Sequence, residues 1–172
     1  MGRVYVALCP ERQRRICIAR FQPEPAILIE ILRLTAQDDN SMTCPFCDDP
    51  LSAGELLFED DRVLVVLHND WAVRGHAMVA WKAHVENVAD LTIDESAHFA
   101  AVHHRVERAL LAATGADRAI LLKLGIATPH LHLHIYPVSA SLERVAVMEI
   151  IDARVRDAFD QTLIDELRER LA

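Results

Sequence analysis

Three histidines alternate with leucines in the segment His130-Leu-His-Leu-His134. Side chains of a β-strand alternate between its two faces, so the three imidazoles would point one way and the leucines the other. Such a row can coordinate a metal ion, although His130 and His134 are too far apart to share one ion unless the strand bends. Alternatively, one imidazole can attack phosphorus while its neighbours orient it and contact phosphate. A surface strand that merely carries histidines is the third interpretation.

A second group with chemical potential is Cys44-Pro-Phe-Cys47, in which two residues separate two thiols. This spacing lets both thiolates bind one ion, and two further ligands, for which histidine is the plausible type, would complete a tetrahedral zinc site. The alternative is a redox motif. Polar residues before Cys44 and the acidic pair Asp48 and Asp49 after Cys47 disfavour thiolate formation, and therefore disfavour redox chemistry.

The surrounding sequence predicts the elements that must position these groups. Thr92 and Glu95 form a capping box that begins a long helix, and this helix is expected to end at Gly115. Four compact apolar runs predict strands. They are Arg62–Leu67, His76–Trp81, Ala119–Leu124 and Leu131–Pro137. The resulting ββαββ order indicates the α+β class, with a mostly antiparallel sheet and one long helix.

The chain divides into three predicted parts. Residues 44–140 form the main domain, and residues 1–43 form an accessory segment with a hairpin and a helix. Residues 141–172 form a C-terminal helical extension, with helices predicted at Ser141–Phe159 and Gln161–Leu171.

Composition restricts the partners and the compartment. The chain has 172 residues and a net charge of −8, which argues against nucleic acid as the main partner because a phosphate backbone requires clustered cations. No apolar run approaches the roughly 18 residues of a membrane span, and the N-terminus is a poor signal peptide. A cytoplasmic location is therefore expected, with cysteines present as thiols or metal ligands.

Two motifs resemble those of one known family. His130–Tyr136 matches a histidine-triad pattern, in which three histidines alternate with apolar residues. Upstream, the segment Gly75–His84 resembles the pattern G-H-x-L-V-x-P-K-x-H, with Trp81 in place of the proline. The chain is therefore similar, over about residues 44–137, to the histidine triad (HIT) nucleotide hydrolases, in particular to their zinc-containing bacterial-type branch. This resemblance implies a HIT-like fold.

The resemblance also implies a reaction on a small-molecule nucleotide. His132 would attack the α-phosphate and form a covalent nucleotidyl-histidine intermediate that water then hydrolyses. Its other ring nitrogen is expected to donate to a backbone carbonyl, which sets the tautomer. His134 would contact the non-bridging phosphate oxygens, and His76 would be hydrogen-bonded to the triad. The substrate would be a dinucleoside polyphosphate or a nucleoside phosphoramidate.

The same resemblance implies further binding residues. Asn69, or else Asp70, would bind the ribose hydroxyls. Lys123 stands where the family usually has asparagine, and Thr128 supplies the only hydroxyl in a shortened loop before the triad. A closed structural zinc site is implied at four ligands. They are Cys44, Cys47, His84 and His130.

Two other functions remain open from the sequence. A nucleotidyltransferase is the nearest enzyme, although its branch usually has glutamine in place of His134. A zinc-stabilised nucleotide-binding module with little turnover is the rival from another class, and the shortened loop favours it. The family resemblance and the need to protect a sheet edge predict a homodimer.

Overall fold

The computed structural model describes residues 44–69, 73–153 and 160–172. The predicted accessory segment 1–43 and the candidate ligand Asp70 lie outside these residues. The described strands form a five-stranded sheet, antiparallel throughout, in the order β1-β2-β3-β5-β4. They are β1 (Gly54–Glu59), β2 (Val63–His68), β3 (Ala77–Trp81), β4 (Arg118–Leu122) and β5 (His132–Val138). The predicted α+β class is confirmed.

Strand β1 is the element that the sequence did not predict. Its pairing with β2 shifts register between Leu56 and Phe58, so its burial does not alternate regularly. Strand signals in sequence depend on a period of two, and a bulge interrupts that period. The predicted ββαββ order therefore lacks its first strand.

The long helix follows the prediction closely. Helix α2 spans Ile93–Thr114. In the chain it follows the one-turn helix α1 (Pro45–Asp48) and the first three strands. The Thr92 hydroxyl accepts from the Glu95 amide, and the Glu95 carboxylate accepts from the Thr92 amide, as a capping box requires. Gly115 ends the helix with φ of 73°, a left-handed conformation that suits glycine.

The two faces of the sheet have different neighbours. On one face, the apolar residues of β2 and β3, including Val65 and Val79, pack against the buried side of α2 and form the main core. On the other face, a smaller cluster of Leu64, Val66 and Met78 contacts Phe46 of α1. Leu131, immediately before β5, and Ile135 within it lie in the main core, and Leu133 packs against this core. Consequently the triad side chains belong to the opposite face.

The C-terminal helices differ in their boundaries from the prediction. Helix α3 spans Arg144–Asp152, so residues 141–143 of the predicted helix are not helical. It ends before Ala153, whose backbone is extended. The remainder of the predicted helix, residues 154–159, lies outside the described residues. Helix α4 is Gln161–Leu171, as predicted, and packs against α2 and β1 through four buried aliphatic side chains. Among the described helices, none has both the length and the apolar character that crossing a membrane requires.

Candidate functional site

His132 begins β5 and is 7% exposed. Its Nδ1 donates to the backbone carbonyl of His130 over 2.7 Å, the hydrogen bond that the sequence predicted. Because Nδ1 holds the proton, Nε2 keeps its lone pair in the neutral ring. Burial lowers the pKa of His132, and nearby positive charge, including that of Lys123, acts in the same direction. Both effects favour the neutral imidazole, which is the nucleophilic form.

His76 and His134 are hydrogen-bonded to each other, with His76 Nε2 and His134 Nδ1 3.0 Å apart. Gly75 turns the chain immediately before His76 with φ of 88°, and an added Cβ would lie 2.7 Å from the Thr114 side chain. The turn therefore requires glycine. The ring of His76 also stacks on Tyr136, with 4.1 Å between centroids. The predicted association of His76 with the triad is confirmed.

His132 and His134 line a cavity of about 430 Å³ on the sheet face opposite the main core. Its floor includes Met78. One side is formed by α1 and the segment that follows it, and another side is formed by the loop before β5. Thr128 lies in that loop and also lines the cavity. Among the described residues, the lining contains no carboxylate. This cavity can therefore hold an anionic group against the two imidazoles.

His68 also lines the cavity, which the sequence analysis did not anticipate. Its ring stacks on His76 with centroids 4.5 Å apart. Asn69, the preferred candidate, is not among the lining residues, and its side-chain amide donates to the Ser52 carbonyl. The alternation of side chains along β2 could have indicated this position, because His68 shares a face of the strand with Leu64 and Val66.

Lys123 approaches the site without lining the cavity. Its ammonium lies 3.4 Å from the side-chain oxygen of Asn87, to which it donates. Its charge nevertheless contributes to the lowered pKa of His132. Lys123 thus affects His132 through its positive charge and is not part of the cavity lining.

A second site lies beside the cavity, where four predicted ligands come together. All their ligand atoms lie within 4.8 Å of one another. They belong to Cys44, Cys47, His84 and His130. The Sγ of Cys44 is 3.3 Å from His130 Nδ1, and the Sγ of Cys47 is 3.5 Å from His84 Nδ1.

These distances and donor types fit a structural zinc ion. In a tetrahedral site with Zn–S and Zn–N bonds of about 2.3 and 2.0 Å, the sulfur and nitrogen ligands lie about 3.5 Å apart. The Nε2 of His130 donates to the Trp81 carbonyl over 2.6 Å, which leaves Nδ1 available to a metal. Desolvation and the neighbouring Cys44 raise the pKa of Cys47, so a bound cation would be needed to favour the thiolates.

The triad histidines consequently divide between two sites. His130 precedes the first residue of β5 and contributes to the metal cluster, whereas His132 and His134 line the cavity. Phe46 lies between the sites, with its ring centroid 5.1 Å from that of His130 and 4.9 Å from that of His132. No pattern in the sequence indicated a function for Phe46.

Comparison with known proteins agrees with this fold. A histidine triad protein of Bradyrhizobium japonicum superposes with a TM-score of 0.60 at 21% identity, over 70% of this chain and 92% of that one. A hypothetical histidine triad nucleotide-binding protein of Sulfolobus tokodaii gives a TM-score of 0.54 at 24% identity, over 74% and 89% of the two chains. Both likenesses support the fold.

A zinc-bound histidine triad family protein of Mycobacterium smegmatis is 26% identical, with a TM-score of 0.56, over 77% of this chain and 95% of that one. The HIT domain family itself matches residues 52–140, which is more than half of the chain. On this match, and with the predicted HIT-like fold confirmed, the chain belongs to the HIT family, which includes nucleotide hydrolases and transferases.

Proposed function

We propose that this protein hydrolyses a phosphoanhydride or phosphoramidate at the α-phosphate of a nucleotide, through a nucleotidyl intermediate on His132. The observation that carries the proposal is the hydrogen bond from His132 Nδ1 to the His130 carbonyl. It leaves Nε2 as the nucleophilic atom of a buried ring at the wall of the cavity. An imidazole in this state attacks phosphorus without a separate base.

The reaction has two displacements at phosphorus. In the first, the Nε2 lone pair forms a P–N bond, and the bond to the leaving group breaks with its electron pair. The leaving group then takes a proton from water, which the Thr128 hydroxyl in the cavity lining can relay by donating its own proton and accepting another. In the second, water attacks phosphorus, the P–N bond breaks, and the nucleoside monophosphate departs while the proton of water is released.

The neighbouring imidazoles supply electrostatic stabilisation. His134 lines the cavity beside His132, with ring centroids 5.1 Å apart, so it can donate to a non-bridging phosphate oxygen. His76 is hydrogen-bonded to His134 and orients that ring. Preorganised donors of this kind stabilise the charge that develops on a transferring phosphoryl group. Lys123 adds a positive field to the same region.

The nucleoside would occupy the part of the cavity beyond the phosphate. Ala53, Met78 and Phe46 provide apolar surface there, and His68 provides a polar group at one side. Asn69 stays a candidate for contact with the ribose only if substrate binding brings its side chain to the cavity. Asp70 stays the alternative candidate. The domain proposal follows from the same arrangement, with residues 44–140 forming the catalytic body.

Zinc is proposed as the resident metal, held by the two thiolates and two imidazoles of the metal cluster. Four protein ligands close a tetrahedral shell, so the ion would stabilise the fold and would not bind substrate. The cluster also supports placement in the zinc-containing bacterial-type branch. When bound, the ion supplies positive charge that keeps both cysteines deprotonated.

Rapid-quench labelling with a nucleotide radioactive at the α-phosphate tests the activity. We expect a covalent adduct that forms and decays within one turnover, and it should map to the His132 peptide. Binding without an adduct would instead favour the nucleotide-binding module, for which the short loop before β5 is the supporting feature. Transfer of the label to an added phosphorylated acceptor in preference to water would favour the transferase.

The pH dependence of kcat/KM provides a second prediction. A lowered pKa keeps His132 neutral at pH values where an ordinary histidine, with a pKa of about 6.5, is partly protonated. We therefore expect the acid limb of the kcat/KM profile to be centred below pH 6.5. The substrate must carry no group that titrates in this range. An acid limb centred at or above 6.5 would contradict the expectation.

A third prediction concerns assembly. Strand β4 lies at the edge of the described sheet, and its Leu121 is 40% exposed, whereas α4 packs beside β1 at the other edge. Edge strands are usually protected by a neighbouring element or chain. We expect a two-fold homodimer formed along β4 and α2.

Light scattering at micromolar concentration should give a mass of twice 19.3 kDa. Leu121→Glu should shift the protein towards the monomer, because it would place a charge in the interface. Val145→Glu is the matched control, since Val145 is 67% exposed on α3. A mass near that of one chain for the unmodified protein would reject the dimer.

A further inference from the structure

Phe46 contacts both a metal-cluster ligand and the proposed nucleophile. Its ring stacks on His130 with an interplanar angle of 29°, and it lies at 32° to His132. The His132 ring is also tied to the backbone of His130 by the hydrogen bond from its Nδ1 to the His130 carbonyl. One aromatic side chain therefore covers two histidines that belong to different sites.

Helix α1, which carries Phe46, cannot hold its position by itself. It has four residues, none of them buried, and its turn is closed by hydrogen bonds from the Cys47 and Asp48 amides to the Cys44 carbonyl. A helix this short is unstable in isolation. Among the described residues, its contacts with the body include those of Cys44 and Cys47 with the histidines of the metal cluster, and those of Phe46 with the small apolar cluster. The position of Phe46 therefore depends on the cysteines.

Phe46 also forms the wall between two cavities. On one side is the catalytic cavity with His132 and His134. On the other side is a cavity of about 410 Å³ that includes Cys47, Ala80 and Trp81 in its lining. Because Phe46 lines both cavities and its ring lies 4.9 Å from that of His132, removal of the phenyl ring would uncover part of the His132 ring.

We propose that Phe46 is a positioning residue that couples the metal cluster to the nucleophile, so that the state of Cys44 and Cys47 controls the packing of His132. With both thiolates held by a metal, α1 presses Phe46 against the His132 ring and limits its rotation. With the thiolates released, α1 loses two of its attachments, and Phe46 no longer closes the cavity. The metal would thus affect nucleotide binding and turnover as well as stability. The turnover part of this proposal rests on the proposed function.

Phe46→Ala tests the positioning directly. Small displacements of a reacting group cost up to about 100-fold in rate, so we expect kcat to fall about 10- to 100-fold while zinc content is retained. Phe46→Leu, which keeps an apolar cover, should recover most of the loss. Phe58→Ala is the matched control, because Phe58 lies on β1 and packs against the main core, outside both cavities. It should leave kcat within about twofold of the parent protein.

A direct readout is the chemical accessibility of His132. Labelling with diethyl pyrocarbonate at pH 8, followed by peptide mass spectrometry, measures the modification rate of each histidine. His98 lies on α2, paired with Asp60 and outside the catalytic cavity, so it serves as the reference within each sample. We expect His132 to be modified severalfold faster in Phe46→Ala than in the parent protein, at an unchanged rate for His98. A merely structural contribution would not change this ratio.

The coupling itself requires a double-mutant cycle. Cys47→Ser removes one ligand, and it should increase the His132 labelling rate as Phe46→Ala does. Residues that act through one another give non-additive effects, so the double variant should be little faster than the more affected single variant. All samples are labelled at temperatures well below their individual melting points. If the increase in the His132 labelling rate of the double variant equals the product of the two single-variant increases, the coupling is overturned.

The labelling experiment separates this proposal from the proposed function. If the parent protein shows no turnover but Phe46→Ala exposes His132, the enzymatic assignment fails and the coupling stands. If the parent protein turns over and Phe46→Ala changes neither kcat nor the labelling ratio, Phe46 does not position His132. Equal His132 labelling in the parent protein before and after chelation of zinc would also refute the coupling.

Discussion

Replacement of His132 by alanine is expected to abolish nucleotide hydrolysis while leaving nucleotide binding and zinc content intact. The substitution removes the atom that would form the P–N bond, and loss of a nucleophile typically costs at least about 10⁴-fold in kcat. That factor corresponds to about 5 kcal/mol of transition-state stabilisation. His132 is not among the residues that bring their ligand atoms to the metal cluster, so metal binding should persist.

Two companion variants sharpen this test. In His132→Gly, added imidazole can occupy the vacated space and attack phosphorus in place of the side chain, so partial recovery of turnover would identify the missing group. His98→Ala is the control, because His98 pairs with Asp60 outside the catalytic cavity. It should retain the activity of the parent protein. Near-normal turnover by His132→Ala would remove His132 from the reaction.

Cys44→Ser is expected to lose zinc and stability together. Binding of a structural ion contributes to folding, and a ligand set reduced to three holds the ion weakly. A change of 1 kcal/mol shifts the melting temperature by about 2–4 °C in a chain of this size, so the loss of several kcal/mol should lower Tm by on the order of 10 °C. Metal analysis and calorimetry measure both effects.

Chelation supplies the matched comparison. A zinc chelator should lower the melting temperature of the parent protein towards that of Cys44→Ser, and it should not change the variant further. Added zinc should restore the parent protein only. A melting temperature of the parent protein that changes neither on chelation nor on addition of zinc would refute the zinc assignment.

Several elements could be predicted from local sequence because their determinants are short-range. The capping box at Thr92 and the glycine at position 115 define both ends of α2, and each acts within one helical turn. The alternation before Tyr136 places the leucines in the core because side chains alternate along any strand. Helix α4 was likewise readable from its own residues.

Other features could not be read in this way. Strand β1 contains a bulge, which breaks the period that identifies strands. The preference for Asn69 over His68, by contrast, followed the family offset from His76, although the alternation of β2 was readable and places His68 on the side of the cavity.

By itself, the sequence determined the type of chemistry, since the spacing of the histidines and of Cys44 and Cys47 follows from backbone geometry over a few residues. The resemblance to a family then supplied His84 and His130 as further ligands. Only the tertiary structure decided that His130 faces the metal cluster while His132 faces the cavity, and that Phe46 packs between them. These contacts join residues more than eighty positions apart in the chain. They arise from strand pairing and the packing of α1, which no local pattern encodes.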